Sequence, residues 1–196
     1  MGIGGPAGLP SPGHAGDVTR AVFLDRDGVL NRAVLKDGLP TPPRSVQDLE
    51  VLPGVPEALA ALKSAGFRLV VVTNQPDVAR GTQRREEVEA INGALLRDLP
   101  LDVVKVCYHD DADRCACRKP APGMILEAAA ELGVDLSRSY MVGDRWKDIE
   151  AGQRAGTTTI LIENEYPERR PGQPGARVRS LRDAAEWILE REKVEP

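Results

Sequence analysis

The sequence has no apolar run approaching the eighteen or more residues that a membrane-spanning helix requires. It also lacks the basic start and apolar core of a secretory leader, since it opens M-G-I-G-G-P-A-G-L-P-S-P-G-H-A-G. Pro6 breaks the pattern for N-myristoylation. No stripe of Lys and Arg is present that could neutralise successive phosphates of a duplex, and the net charge is −4. These absences argue against a membrane protein and against nucleic acid as a main partner. The expected location is the cytoplasm. Cysteine is scarce, three in 196 residues, which excludes a disulfide-stapled scaffold. There is no internal repeat and no sign of a second domain.

What is present has a regular order. Residues 1–18 are rich in Gly and Pro with little to bury, and are expected to form a disordered arm in which His14 has no assigned role. Residues 19–192 are expected to form one domain, and the chain's 41% hydrophobic content is enough for a sizeable core. Short β-branched runs, R-A-V-F-L, R-L-V-V-V-T, D-V-V-K-V-C, S-Y-M-V-G and T-T-T-I-L-I, alternate with stretches whose apolar residues recur every three or four positions. This alternation predicts a Rossmann-like three-layer α/β sandwich with a mainly parallel sheet. After Pro167 comes a Pro/Gly-rich connection and then a final helix, started by Ser180 and Asp183, with Leu181, Ala185, Ile188 and Leu189 on its inner face.

In such sheets ligands bind beyond the carboxyl ends of the strands, so the residues that follow each strand matter most. The first strand runs into Asp25-Arg26-Asp27-Gly28 and the second into Thr73-Asn74-Gln75. The fourth runs into Gly143-Asp144-Arg145, with Asp148 four residues after Asp144. The third leads to Lys119. If ionised, Asp25, Asp27 and Asp144 together carry about −3, which repels an anion unless a cation intervenes; hard oxygen donors select Mg²⁺. With Mg²⁺ and Lys119 the charge returns to about zero, and the pocket can take a phosphate. A carboxylate beside a polarised phosphorus is a competent nucleophile, and crowding by like charge should raise the proton affinity of one of the two acids. Asp148 braces Lys119 or starts the next helix.

F-L-D-R-D-G-V-L-N, V-V-T-N-Q, C-R-K-P-A-P-G-M and M-V-G-D-R-W-K-D-I-E-A-G, in this order, resemble the four motifs of the haloacid dehalogenase superfamily of phosphatases, across residues 20–165. The resemblance implies that Asp25 is the nucleophile that becomes aspartyl-phosphate and that Asp27 is the general acid/base whose backbone carbonyl also meets Mg²⁺. It implies that Thr73 orients the phosphoryl oxygens, that Lys119 holds nucleophile and phosphate, and that Asp144 completes the metal site with Asp25 and Asp27. Asn74, Arg118 and Arg145 fall at the substrate. The segments 31–52 and 75–107 are too short for a lid domain, so a capless member is expected.

Cys107, His109, Cys115 and Cys117 lie within eleven positions, directly before Arg118 and Lys119. Three thiolates and an imidazole are the full donor set of a closed, structural Zn²⁺ site. The alternatives are a reduced cysteine group or a disulfide, but three cysteines cannot all pair. Zinc here would fix the approach of Arg118 and Lys119 to the phosphate. This loop resembles that of two capless branches of the superfamily, one acting on a heptose bisphosphate and one on histidinol phosphate. Asn74-Gln75 and Val78-Ala79-Arg80-Gly81 are closer to the first; the five-residue spacer from His109 to Cys115 is closer to the second. The expected partner is a small phosphorylated metabolite, a sugar bisphosphate. A response-regulator receiver does not fit, because its phosphoacceptor follows the third strand. A catalytically silent, zinc-braced binding module would not need Asp27 and Lys119 together.

Overall fold

A computed structural model describes residues 19–194 except residue 37. The arm expected over residues 1–18 lies outside the described residues. The chain runs β1 (Ala21–Leu24), a hairpin of β2 (Val34–Lys36) and β3 (Leu39–Thr41), α1 (Val55–Ser64), β4 (Arg68–Asn74), α2 (Arg85–Asp98) and β5 (Val103–Cys107). It continues through α3 (Gly123–Leu132), β6 (Tyr140–Gly143), α4 (Trp146–Ala155), β7 (Thr158–Ile162), β8 (Ala176–Val178) and α5 (Leu181–Val194). Six strands form one sheet in the order β5-β4-β1-β6-β7-β8, and every pairing is parallel.

The reason is visible in β1. All four of its residues are buried, as expected of a strand covered on both faces, and they alternate between two cores. Val22 and Leu24 join Val71, Val142 and Ile160 beneath α1, α2 and α5, while Ala21 and Phe23 join Val72 and Met141 beneath α3 and α4. Truncating a fully buried leucine such as Leu59 or Leu62 to Ala would cost roughly 2–5 kcal/mol. The last helix begins as its sequence implies: Ser180 Oγ accepts from the Asp183 N–H at 3.1 Å, and Asp183 accepts from the Arg179 N–H at 3.1 Å. Leu181, Ala185 and Ile188 are buried in the core, with Leu189 packed at its margin.

Two elements escape the pattern reading. The β2–β3 hairpin is three residues a side, and β8 is a three-residue edge strand inside the Pro/Gly-rich connection; both are too short to show periodicity. Between β1 and α1 there is only the hairpin and one 3-10 turn, so no lid domain is inserted there. No helix among the described residues is long and apolar enough to cross a membrane. The chain builds β4 and β5 on one side of β1 and then crosses to place β6 on the other, which opens a crevice at the carboxyl end of β1.

Candidate active site

Asp25 lies at that crevice, its backbone N–H tied to the Val142 carbonyl at 3.0 Å. Lys119 Nζ donates to Asp25 Oδ1 at 2.7 Å and pairs with Asp148 Oδ1 at 2.6 Å, joining positions 94 apart in sequence. All three side chains are buried, so the lysine is shared by two carboxylates away from water. Burial works against its charge, yet the Asp148 and Asp25 carboxylates hold the Lys119 ammonium above its ordinary value. Burial pushes Asp25 up to about 6, opposed by Lys119 and aided by the charges of Asp148 and Asp27. Asp25 thus holds its proton more tightly than an ordinary carboxyl, with burial rather than like-charge crowding as the largest cause. Asp148 does both things anticipated for it: Oδ1 braces Lys119, and Oδ2 accepts from the Arg145 N–H at 2.9 Å to cap α4.

Asp144 follows β6 and is 4% exposed. Burial, then the charges of Asp25 and Asp148, raise its carboxyl well above the usual range. Its Oδ1 is buried without a hydrogen-bond partner, and Asp25, Asp144 and Asp148 each bring one oxygen within 4.8 Å of the others. A buried, unpartnered carboxylate oxygen beside two further acids fits a hard divalent cation such as Mg²⁺. Two glycines make this proximity achievable. A Cβ at Gly28, where φ is +93°, would lie 2.0 Å from Asp144 Oδ2, and one at Gly143 would lie 2.1 Å from Asp148 Cβ.

Asp27 is turned back across the tight loop that closes when the Gly28 N–H meets the Asn31 carbonyl at 2.8 Å. Its carboxylate accepts from Asn31 Nδ2 at 3.0 Å, from Gln75 Nε2 at 2.8 Å and from the buried Arg26 at 3.0 Å. The same Gln75 nitrogen donates to Thr73 Oγ1 at 2.8 Å, linking the ends of β1 and β4. Asn74 was expected at the substrate, but its amide is occupied by backbone: it exchanges two 3.0 Å hydrogen bonds with the N–H and carbonyl of Lys119. It lines the cleft as a clamp on Lys119.

Cys107 ends β5 and is fully buried; His109 follows, and Cys115 and Cys117 return to it across a short loop. Cys107 Sγ lies 3.7 Å from Cys115 Sγ and 3.2 Å from Cys117 Sγ, and Cys115 and Cys117 are 3.3 Å apart. His109 Nδ1 is 3.6 Å from Cys107 Sγ and 3.3 Å from Cys117 Sγ. A tetrahedral Zn²⁺ with Zn–S near 2.3 Å spaces its sulfurs about 3.7 Å apart; one sulfur pair stands at that spacing and the other two are somewhat closer, so the donor set suits that ion with a small expansion about Cys117. All three cysteines are free. Burial, then contact with Cys117, pushes the Cys107 thiol up; at Cys115 burial also acts upward, but hydrogen bonds from Cys117 and the Arg118 backbone outweigh it and bring the thiol down to about 7. Gly123 lets α3 press on the loop, since a Cβ there would sit 2.3 Å from the Ala116 carbonyl oxygen.

A cleft of about 310 Å³ is lined by Asp25, Asp27, Thr73, Asn74, Lys119 and Asp148 together with Arg80, Arg118, Arg145, Lys147, Asp77 and Asp111; Asp144 lines a second cavity that shares Arg145 with it. Carboxylates and cations are equal in number among these lining residues, and two of the cations are already paired, Arg80 with Asp110 and Arg145 with Glu168. Arg118 Nε meets Asp111 Oδ1 at 2.7 Å and its NH1 meets the His109 carbonyl at 3.2 Å, which ties it to the cysteine loop. Arg145 lines the cleft but pairs with Glu168. Sequence reasoning did not assign roles to Arg26, Asn31, Gln75, Asn164 or Tyr166. The first three stand inside motifs already quoted, where only a charge count around Asp27 could have singled them out. Asn164 and Tyr166 stand after β7 in a stretch with no motif.

Residues 42–156 match the family model described as haloacid dehalogenase-like hydrolase. The curated protein D-glycero-beta-D-manno-heptose-1,7-bisphosphate 7-phosphatase of Helicobacter pylori is 33% identical over 175 residues, 86% of this chain and 97% of its own length. The Escherichia coli K12 protein of the same name is 35% identical over 182 residues, 86% of this chain and 87% of its own. Among solved structures, D,D-heptose 1,7-bisphosphate phosphatase from B. bronchiseptica, complexed with magnesium and phosphate, superposes with a TM-score of 0.73 at 31% identity, covering 89% of this chain and 99% of that one.

Proposed function

The chain belongs to the haloacid dehalogenase-like hydrolases, and we propose that it is a Mg²⁺-dependent phosphatase removing the 7-phosphate of D-glycero-D-manno-heptose 1,7-bisphosphate. The observation that carries the chemistry is the buried Asp25–Lys119–Asp148 triad facing a cleft that also holds Asp27 and Thr73. In this reading the Asp25 carboxylate attacks phosphorus as the ester oxygen leaves, and Asp27 acts as the general acid that gives that oxygen a proton. The phosphoryl group is then carried by Asp25 as an acyl phosphate. Asp27, now a carboxylate, takes a proton from water as the water attacks phosphorus, releasing phosphate and restoring Asp25. Lys119 and Thr73 hold the non-bridging oxygens in line. Mg²⁺, when bound by Asp25, Asp144 and the Asp27 backbone carbonyl, would offset the charge of the acids and polarise the phosphoryl oxygens.

Zn²⁺ held by Cys107, His109, Cys115 and Cys117 would supply no chemistry, because four protein donors leave no open position. It would fix the loop from which Arg118 reaches the cleft. A cytoplasmic setting suits these reduced thiols. The substrate assignment rests on the named relatives and on the guanidinium groups of Arg80, Arg118 and Arg145 in the cleft lining, which suit a substrate with a second anionic group. Asp77 and Asp111 in the same lining are the features that would suit the cationic histidinol phosphate. Comparing kcat/KM on the two substrates tests this: the heptose bisphosphate should be favoured at least about tenfold, ~1.4 kcal/mol. Equal or reversed efficiencies would transfer the assignment to histidinol phosphate. Activity on neither would remove the substrate reading altogether.

A further inference from the structure

After β7 the chain passes over Asp144, and alternate residues reach back to the end of β6. Tyr166 OH donates to Asp144 Oδ2 at 2.9 Å, and Asn164 Nδ2 donates to the same oxygen at 3.4 Å. Glu168 pairs with the next residue, Arg145, through Nε at 3.1 Å. The Glu168 N–H meets the Tyr166 carbonyl at 2.8 Å, which sets the turn of the segment. Both donors to Asp144 choose Oδ2, and Oδ1 is left buried with no partner. A carboxylate gripped on one oxygen from two directions cannot rotate freely, so the orientation of its other oxygen is fixed. A Cβ at Gly28 would lie 3.3 Å from the Tyr166 hydroxyl, so the phenol closes the back of the site where only hydrogen fits.

We propose that residues 164–168 form a strap whose hydrogen bonds to Asp144 Oδ2 aim Oδ1 at the divalent cation, with Tyr166 as the principal positioning residue for Mg²⁺ affinity. The inference rests on the reading of Asp144 as a Mg²⁺ ligand. Tyr166 touches neither phosphate nor the reacting atoms; it acts through Asp144. Outer partners that orient a metal ligand typically change metal affinity about 10–100-fold when removed. The phenol has the shorter bond, so its loss should cost more than that of Asn164.

The test is Mg²⁺ binding by calorimetry on the full chain without substrate, for the wild-type protein, Tyr166→Phe, Asn164→Ala and the control Tyr108→Phe. Tyr108 stacks under Arg85, away from Asp144. Tyr166→Phe should weaken Mg²⁺ binding about tenfold, Asn164→Ala should weaken it by less, and Tyr108→Phe should match the wild type. In turnover, the Mg²⁺ concentration giving half-maximal rate should rise for Tyr166→Phe by the same factor, with a much smaller change in the rate at saturating Mg²⁺. Unchanged Mg²⁺ affinity in a folded Tyr166→Phe would overturn the strap's role, as would an equal loss of maximal rate that saturating Mg²⁺ does not restore. Should Tyr166→Phe fail to fold, unchanged affinity in Asn164→Ala would overturn it. If the wild type binds no Mg²⁺, the reading of the acidic site fails first and the inference falls with it.

Discussion

Two clusters of metal-ligand type sit at the carboxyl end of the same sheet and differ in almost every physical respect. The acidic cluster at β1 and β6 is buried, draws its members from positions 25 to 148, and keeps Asp144 Oδ1 unpartnered. The thiol cluster at β5 is partly exposed, comes from eleven consecutive positions, and has its four donors turned on one another. The first is open and charged, the arrangement that binds a substrate and a cation together. The second is closed, the arrangement that holds a loop still. Arg118-Lys119 connects them, with Arg118 tied to the thiol loop and Lys119 to the acids.

The sharpest way to break this contrast is at Asp25. Asp25→Asn should keep the fold and reduce phosphate release to background, by at least about 10³-fold; substantial retained activity would remove the covalent role. Asp27→Asn should be nearly as damaging with alkyl phosphates and far less so with aryl phosphates, whose leaving groups need little protonation. The ratio of the two rates is the measurement.

A smaller effect is expected at the thiol cluster. Structural zinc contributes about 10–16 kcal/mol in isolated peptides, comparable with the ~5–15 kcal/mol of a whole domain. Here both cores are built mainly from strands and helices outside the loop, although Cys107 belongs to one of them and Cys115 and Cys117 pack against it. Cys115→Ser should therefore disorder residues 107–118 and raise KM about tenfold or more, with circular dichroism showing retained structure. Metal analysis should give about one zinc per wild-type chain; freely titratable thiols and no zinc would remove the bracing role.

The mildest effect is a pH dependence confined to the acidic cluster. Asp25 is raised to about 6 by burial from an ordinary value near 4. In that window the folded protein binds more protons than the unfolded chain, so this group's stabilising contribution is full below about pH 4 and is lost as pH rises through 6. In chelator, thermal midpoints should carry this decline between pH 4 and 7, and Mg²⁺ should raise the midpoint more at pH 7 than at pH 5, where protons compete for the same oxygens. A Mg²⁺ shift independent of pH would separate the cation from these acids.

The sequence made β1, β4, β5, β6, β7 and five helices legible because strands of a parallel sheet read as short apolar runs rich in β-branched residues. It made Asp25, Lys119 and Asp144 legible because each immediately follows or faces a strand end. β8 and the hairpin were hidden by their length. The committed amide of Asn74 was hidden because a polar residue in the right place gives no sign of which partner it has met. Tyr166 was hidden for a different reason: it acts from a stretch without periodicity, and only its hydrogen bond to Asp144 shows what it grips.

The Asp25–Lys119 pair spans 94 positions, whereas the thiol donors span eleven. Loop closure over long separations is the slow, entropically costly part of folding, while a short loop closes quickly. Competence for catalysis is therefore a report on the whole chain, since it appears only when β6 has docked beside β1. The thiol cluster is a report on a single local segment. In a refolding time course with zinc present, protection of the three thiols should precede recovery of phosphatase activity, so that one molecule carries an early and a late clock of its own assembly.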